Sequence, residues 1–136
     1  EISGELKCDR LHQRIYATDA SVYRKLPLAV CYPKDKEDLV RLIRFARDKK
    51  TSLIPRAAGT SLAGQCVGEG IVVDTSRHYN KILAFDERNK TVKVEPGVIR
   101  DELNEFLRPF GLFFGPNTSI LQTDAPFHPP IRRMKT

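Results

Sequence analysis

The sequence predicts an α+β fold: a first βαβ subdomain on a small parallel sheet, then the beginning of a second subdomain made of a hairpin and a helix. Three observations carry this expectation. An apolar run at 29–32, a helical apolar stripe over 36–49 and a second apolar run at 52–55 stand in strand–helix–strand order. In one sheet that order means parallel strands joined by a right-handed crossover. Two further apolar segments, 82–86 and 91–95, flank Glu87-Arg88-Asn89-Lys90 as the arms of a hairpin would. Finally, a loop of small and mostly uncharged residues, Pro55-Arg56-Ala57-Ala58-Gly59-Thr60-Ser61-Leu62-Ala63-Gly64-Gln65, leaves the carboxyl end of a predicted parallel strand. That end of an α/β sheet is where ligands bind.

Taken in order, residues 1–7 show no clear period. Asp9 is placed to cap a short helix running to about Tyr16, with Leu11 and Ile15 on one face. Residues 16–23 read as a polar connector. Ala29-Val30-Cys31-Tyr32, ended by Pro33, predicts a strand. In the helix over 36–49, Leu39, Leu42, Ile43 and Ala46 fall at i, i+3, i+4 and i+7, which makes one apolar stripe. Asp35 is the expected cap, and Glu37 and Asp38 suit the positive end of the dipole. Ile71-Val72-Val73-Asp74 is apolar without alternation, the mark of a strand covered on both faces. In the hairpin, Val92 and Val94 alternate with Lys93 and Glu95, so one face is wet. A second amphipathic helix follows over 99–110 with Leu103, Phe106, Leu107 and Phe110 on its stripe, Asp101 and Glu102 at its start, Pro109 in its last turn and Gly111 as its C′ residue. Leu112-Phe113-Phe114 is a short strand or apolar plug. From Ile120 onward no helical or strand period remains, and a tail that is extended or poorly ordered is expected.

Bulk properties narrow the function only slightly. The 136 residues suffice for one domain with a real core, and 40% hydrophobic against 29% charged residues is a globular balance. No apolar run approaches the ~18 residues of a membrane span. The net charge of +6 invites a nucleic-acid partner. Its distribution argues otherwise, because Arg132, Arg133 and Lys135 against Asp124 place +2 in the tail, and Arg41, Arg44 and Arg47 form a stripe of the kind that is usually solvated. Cys8, Cys31 and Cys66 are odd in number and far apart, which suits a reducing compartment rather than a disulfide framework or a zinc site. No metal-ligand spacing joins them to His12, His78 or His128.

The loop at 55–65 is the part of the chain that bears on chemistry. Its two glycines allow φ > 0 and close approach of the backbone, and successive N–H groups in such a turn make a concave nest for phosphate or pyrophosphate. The same composition would also serve a tight crossing between strands, and local chemistry leaves both readings open. Gly59 and Gly64 have the glycine spacing of a Walker A loop, but Gln65-Cys66 stands where Lys-Ser/Thr is required. No G-x-G-x-x-G opens a helix, and Ser61 sits in no G-x-S-x-G elbow.

This loop resembles the FAD-pyrophosphate loop of the vanillyl-alcohol oxidase/p-cresol methylhydroxylase-type flavoproteins, within the branch of FAD-linked oxidases that contains D-lactate dehydrogenase, glycolate oxidase and D-2-hydroxyglutarate dehydrogenase. Residues 16–23, 71–77, Val94-Glu95-Pro96-Gly97-Val98, Asp101-Glu102-Leu103-Asn104 and 111–119 resemble that branch in order and spacing, so that the likeness covers residues 4–119. It implies a p-cresol methylhydroxylase-type FAD-binding domain: an N-terminal helix and connector at 1–23, a first FAD-binding subdomain at 24–78, a partial second one at 79–119 and a tail at 120–136. The backbone of Arg56, Ala57, Ala58, Gly59, Thr60 and Ser61 would hold the pyrophosphate of FAD, with Gly64, the Ser61 hydroxyl and Gln65 assisting. Pro96, Gly97 and Val98, with Pro116, Thr118 and Ser119, would border the flavin or pyrophosphate from the second subdomain. Some relatives tether the flavin through a histidine in this loop; Thr60 stands near that position, which implies non-covalent FAD. Arg56 is expected either to pair with a phosphate or only to brace the loop. Thr18 and Asp19 match the family pattern with no chemical role to assign.

The chain departs from the family after Ser119, where a Gly- and Asn-rich run is replaced by Ile120-Leu121-Gln122-Thr123-Asp124 and a Pro/Arg tail. The expectation is an amino-terminal fragment with a non-native end, inactive by itself, whose parent oxidises a 2-hydroxy acid such as D-lactate, glycolate or 2-hydroxyglutarate through a substrate domain absent here. No catalytic or metal-binding residue is expected within it. A cytoplasmic location is expected, with peripheral attachment of the parent to the inner membrane as the variant, and a homodimer through the apolar residues 112–114. The competing reading is a flavin-free module whose basic surface binds an anionic partner.

Overall fold

The structure, a computed structural model, describes residues 2–116 and the backbone of Ile131–Arg133. Two compact units divide the chain, Glu1–His78 and Tyr79–Thr136. In the first unit, β1 (Glu5–Lys7), α1 (Arg10–Ile15), β2 (Ala29–Tyr32), α2 (Lys36–Lys49), β3 (Leu53–Arg56) and β4 (Ile71–Asp74) follow one another. The sheet has the order β1-β2-β4-β3. Strands β2 and β3 both pair in parallel with β4, in the registers Val30↔Val72 and Ile54↔Val72, so β4 is inserted between the two strands of the βαβ unit. Strand β1 adds an antiparallel edge, Leu6↔Cys31, in a stretch where the sequence showed no period.

All four residues of β4 and all four of β2 are buried, because the sheet is covered on both sides. Ala29, Cys31, Ile71 and Val73 pack with Leu42 of α2 on one face. Val30, Tyr32, Ile54 and Val72 pack on the other, with Tyr16 against them. The cap of α2 is Asp35, whose side chain accepts from Asp38 N at 2.8 Å. Of the expected stripe, Leu42 and Ala46 are buried and Leu39 packs at the margin, whereas Ile43 is 61% exposed. The line 39–42–46 meets the sheet, and residue 43 lies about 100° round the helix from Leu42, on the solvent side of that line. Helix α1 is capped by Asp9, which accepts from Leu11 N and His12 N, each at 3.1 Å. Its expected face does not bury: Leu11 and Ile15 are exposed. Six residues present too little surface to pack as a stripe, and the helix is held at its end, where Tyr16 enters the core.

In the second unit, β5 (Ile82–Asp86) and β6 (Thr91–Val94) form the hairpin, followed by α3 (Arg100–Leu107), a 3₁₀ turn (Arg108–Phe110), β7 (Leu112–Phe114) and β8 (Ile131–Arg133). Val98, Leu103, Leu107 and Leu112 make its core, with Ile82, Phe85, Val92, Val94 and Phe114 around them. The helix expected to reach 110 changes to 3₁₀ geometry at Arg108, in step with Pro109, and Gly111 takes the left-handed φ of 64°. Phe106 and Phe110 are partly exposed and pack against Phe85, one edge-on and one tilted, with ring centroids 5.6 and 4.7 Å away. Strand β8 pairs antiparallel with β7, Phe113↔Arg132, within a tail for which no strand was expected. The rest of that tail lies outside the described residues. Among the described residues, no helix is long and apolar enough to cross a membrane.

Candidate functional site

The loop between β3 and β4 opens at the carboxyl end of the parallel sheet, as its sequence position required. Arg56 is the last residue of β3, in register with Asp74, so the loop proper begins at Ala57. Gly59 and Gly64 adopt left-handed φ of 69° and 77°, which side chains rarely tolerate. A Cβ on Gly59 would lie 2.5 Å from the Arg56 guanidinium, and one on Gly64 would lie 2.7 Å from the Tyr23 ring. The two turns are therefore packed tightly from behind. No hydrogen bond runs from the backbone N–H groups of Ala57, Ala58 or Gly59 to another described residue. Consecutive free donors at a left-handed glycine are the backbone chemistry of an anion nest, so the loop fits the pyrophosphate of a dinucleotide.

Ser61 and Gln65 serve the loop's own shape. The Ser61 hydroxyl donates to the Gln65 side-chain oxygen and accepts from Ala63 N at 3.3 Å and Gln65 N at 3.0 Å. A further turn bond runs from Val67 N to Gly64 O at 3.1 Å. Thr60 is half-buried.

The connector 16–23, which sequence reading left without a role, lies behind the loop. Arg56 Nη1 donates to Thr18 O at 2.7 Å, and the guanidinium carbon sits 4.9 Å from the centroid of the Tyr16 ring. The Tyr16 hydroxyl donates to Asp74 Oδ2 at 2.5 Å and accepts from Tyr32 at 3.0 Å. Burial and then the bond to Asp74 push the Tyr16 phenol upward, which keeps it protonated as a donor. Asp74, 5% exposed, also accepts from Ser76 N at 2.8 Å and Ser76 Oγ at 2.6 Å. Asp19 accepts from Ser21 N at 2.8 Å. Burial acts to raise the Asp19 carboxyl, but hydrogen bonds from Ser21 and the Cys66 backbone outweigh it and hold the group below the ordinary carboxylate range. The bonds of Arg56 to Thr18 and of Tyr16 to Asp74 have no local spacing to betray them, since their partners are 38 and 58 residues apart.

The remaining expected site residues belong to the second unit. Gly97 N donates to Tyr79 O at 2.7 Å and Val98 N to Glu95 O at 3.2 Å, which closes a tight turn after β6. Val98 is 2% exposed and belongs to the core of the second unit. Pro96 and Pro116 are half-buried; Thr118 and Ser119 lie outside the described residues.

Comparison with known proteins gives this geometry a family. Over 119 residues the chain is 40% identical to D-2-hydroxyglutarate dehydrogenase of Pseudomonas putida, covering 85% of this chain and 12% of that protein. Over 110 residues it is 34% identical to glycolate oxidase subunit GlcD of Bacillus subtilis, covering 79% of this chain and 23% of that one. The chain thus spans about an eighth to a quarter of the length of these relatives. Among solved structures, 6-hydroxy-D-nicotine oxidase of Arthrobacter nicotinovorans superposes with a TM-score of 0.70 at 24% identity, over 83% of this chain and 25% of that one, a likeness of fold. The sequence profile described as FAD binding domain matches residues 27–123, taking in both strands that flank the glycine loop and the turn after β6. With that match over most of its length, the chain belongs to the FAD binding domain family, whose cofactor is FAD.

Proposed function

We propose that the chain is the FAD-binding portion of a flavin-dependent dehydrogenase or oxidase that acts on a 2-hydroxy acid such as D-lactate, glycolate or 2-hydroxyglutarate. The observation that carries this is the glycine loop at the end of the parallel sheet, in a chain 40% identical to a D-2-hydroxyglutarate dehydrogenase. FAD supplies the two-electron acceptor when bound, and the protein supplies its binding and orientation. The N–H groups of Ala57, Ala58, Gly59, Thr60 and Ser61 would hold the pyrophosphate, with Gly64 keeping the loop closed and Gln65 fixing Ser61. Pro96, Gly97 and Val98, with Pro116, Thr118 and Ser119, would border the cofactor from the second unit. Thr60 stands near the position at which some relatives place a tethering histidine, which favours a flavin that this loop holds without a covalent bond. The general base and the groups that bind the substrate carboxylate belong, in this reading, to a substrate domain outside these 136 residues.

Titration of the purified chain with FAD, read by flavin fluorescence and by the flavin absorption band, tests the binding. A longer parent should carry flavin and bleach its absorbance on addition of a D-2-hydroxy acid. A parent without flavin absorbance that added FAD does not restore overturns the reading. Association through β7 is its oligomeric corollary; a monomeric mass by light scattering rejects that corollary alone.

A further inference from the structure

We propose that Arg56 is a positioning residue that braces the cofactor loop from behind and pairs with no phosphate. The inference deepens the FAD-binding reading and rests on it only for its ligand arm. Three contacts immobilise the guanidinium against the loop. Nη1 donates to Thr18 O at 2.7 Å, one face lies on the Tyr16 ring at 4.9 Å, and the Gly59 backbone packs so closely that a Cβ there would meet Nη2, Cζ and Nε at 2.5–2.6 Å. Tyr16 cannot swing away, because its hydroxyl both donates to the buried Asp74 and accepts from Tyr32. Asp74 is in turn fixed by Ser76 and by its register with Arg56 itself. The chain Arg56–Tyr16–Asp74 thus closes on the end of two adjacent parallel strands. A phosphate contact that drew Arg56 off the carbonyl and the ring would also take from Gly59 the surface that supports its left-handed turn. What the loop needs from residue 56 is a flat group with an N–H donor, and the charge is secondary.

Shape and charge can be separated by substitution. Arg56→Lys keeps the cation and loses the plane, and Arg56→Gln keeps a flat N–H donor and loses the cation. In the 136-residue chain without ligand, amide hydrogen exchange over residues 57–66 should rise at least tenfold in Arg56→Ala and in Arg56→Lys and be partly restored in Arg56→Gln. FAD affinity should follow the same order, about tenfold or more weaker for Ala and Lys than for Gln, with the salt dependence of binding unchanged in Arg56→Gln. Tyr16→Leu should reproduce the Arg56→Ala exchange, and the double variant should be no worse than either single one by more than about twofold. Arg77→Ala is the control, since Arg77 covers the Tyr32 ring at 4.8 Å without touching the loop. Binding retained in Lys and lost in Gln, with a shallower salt dependence in Gln, would mean a phosphate contact and overturn the proposal, as would loop exchange unaltered in all three variants. If Arg56→Ala does not fold by circular dichroism, the Lys and Gln pair decides alone. Should the unsubstituted chain bind no FAD, the ligand arm falls away, the parent's flavin content decides the functional reading, and the ligand-free exchange still decides the brace.

Discussion

Asp38 is the third residue of α2, where its sequence position suggests a favourable charge on the helix dipole, and the structure gives it heavier work. Its side chain is fully buried and accepts from Ser3 N at 2.7 Å, Gly4 N at 2.8 Å and Lys34 N at 3.0 Å, with Arg41 3.7 Å away. One carboxylate therefore fastens the amino-terminal segment and the start of α2 to each other. The partners lie up to 35 residues away, so no local pattern could reveal them. Asp38→Ala would leave three backbone donors unmatched and should cost about 3 kcal/mol, read as a lower urea midpoint at unchanged slope. Burial acts to raise the Asp38 carboxyl, but the hydrogen bonds from Lys34, Ser3 and Gly4 and the charge of Arg41 prevail and lower it. A group whose folded value is depressed stabilises above its unfolded value, near 4, and loses that contribution as pH falls through the folded one. Stability should accordingly decline below about pH 4, and Asp38→Asn should flatten that decline. An equally steep acid limb in Asp38→Asn would remove Asp38 from the account.

Elements with strong local periodicity were legible: β2, α2, the β5–β6 hairpin and most of α3 stand where apolar spacing puts them. Elements that exist by virtue of a partner were not. Strand β1 has three residues, and only its ladder with β2 makes it a strand; β8 depends in the same way on β7. Glycines show the same division. Gly111 ends the 3₁₀ turn at φ 64° with nothing within 4 Å of where a Cβ would stand, and its role is readable from sequence. Gly70 has an ordinary φ and no sequence signature, yet a Cβ there would fall 2.2 Å from Ser52 O, the carbonyl that accepts from Ile71 N and starts the β3–β4 pairing. Gly111→Ala should therefore cost about 1 kcal/mol, the strain of a left-handed alanine. Gly70→Ala should cost about 3 kcal/mol, because backbone has to move. Urea denaturation of the two variants checks the order, and equal losses would show that the start of the β3–β4 pairing gives way easily.

At the scale of the molecule, each unit has its own core, Cys31, Leu42 and Val73 in the first and Leu103, Leu107 and Leu112 in the second. The glycine loop belongs wholly to the first, and its resemblance to a family loop, more than the glycines alone, made its ligand class legible, while the brace of Tyr16, Arg56 and Asp74 was hidden by sequence distance. A ligand that binds only the folded form stabilises it by mass action, about 2.7 kcal/mol at a hundredfold excess over Kd. FAD should therefore raise the melting temperature of the chain in a concentration-dependent way. Because the nest addresses the pyrophosphate, ADP should retain part of the shift, whereas riboflavin, which has the ring and no phosphate, should give little. Gly59→Ala sharpens the same measurement, since its Cβ would strain the left-handed turn and displace Arg56. The substitution should lower the ligand-free melting temperature modestly, by about 1 kcal/mol of stability, and remove most of the shift with FAD. An FAD shift of equal size in Gly59→Ala and the unsubstituted chain, or a riboflavin shift matching that of FAD, would place the binding energy outside the loop.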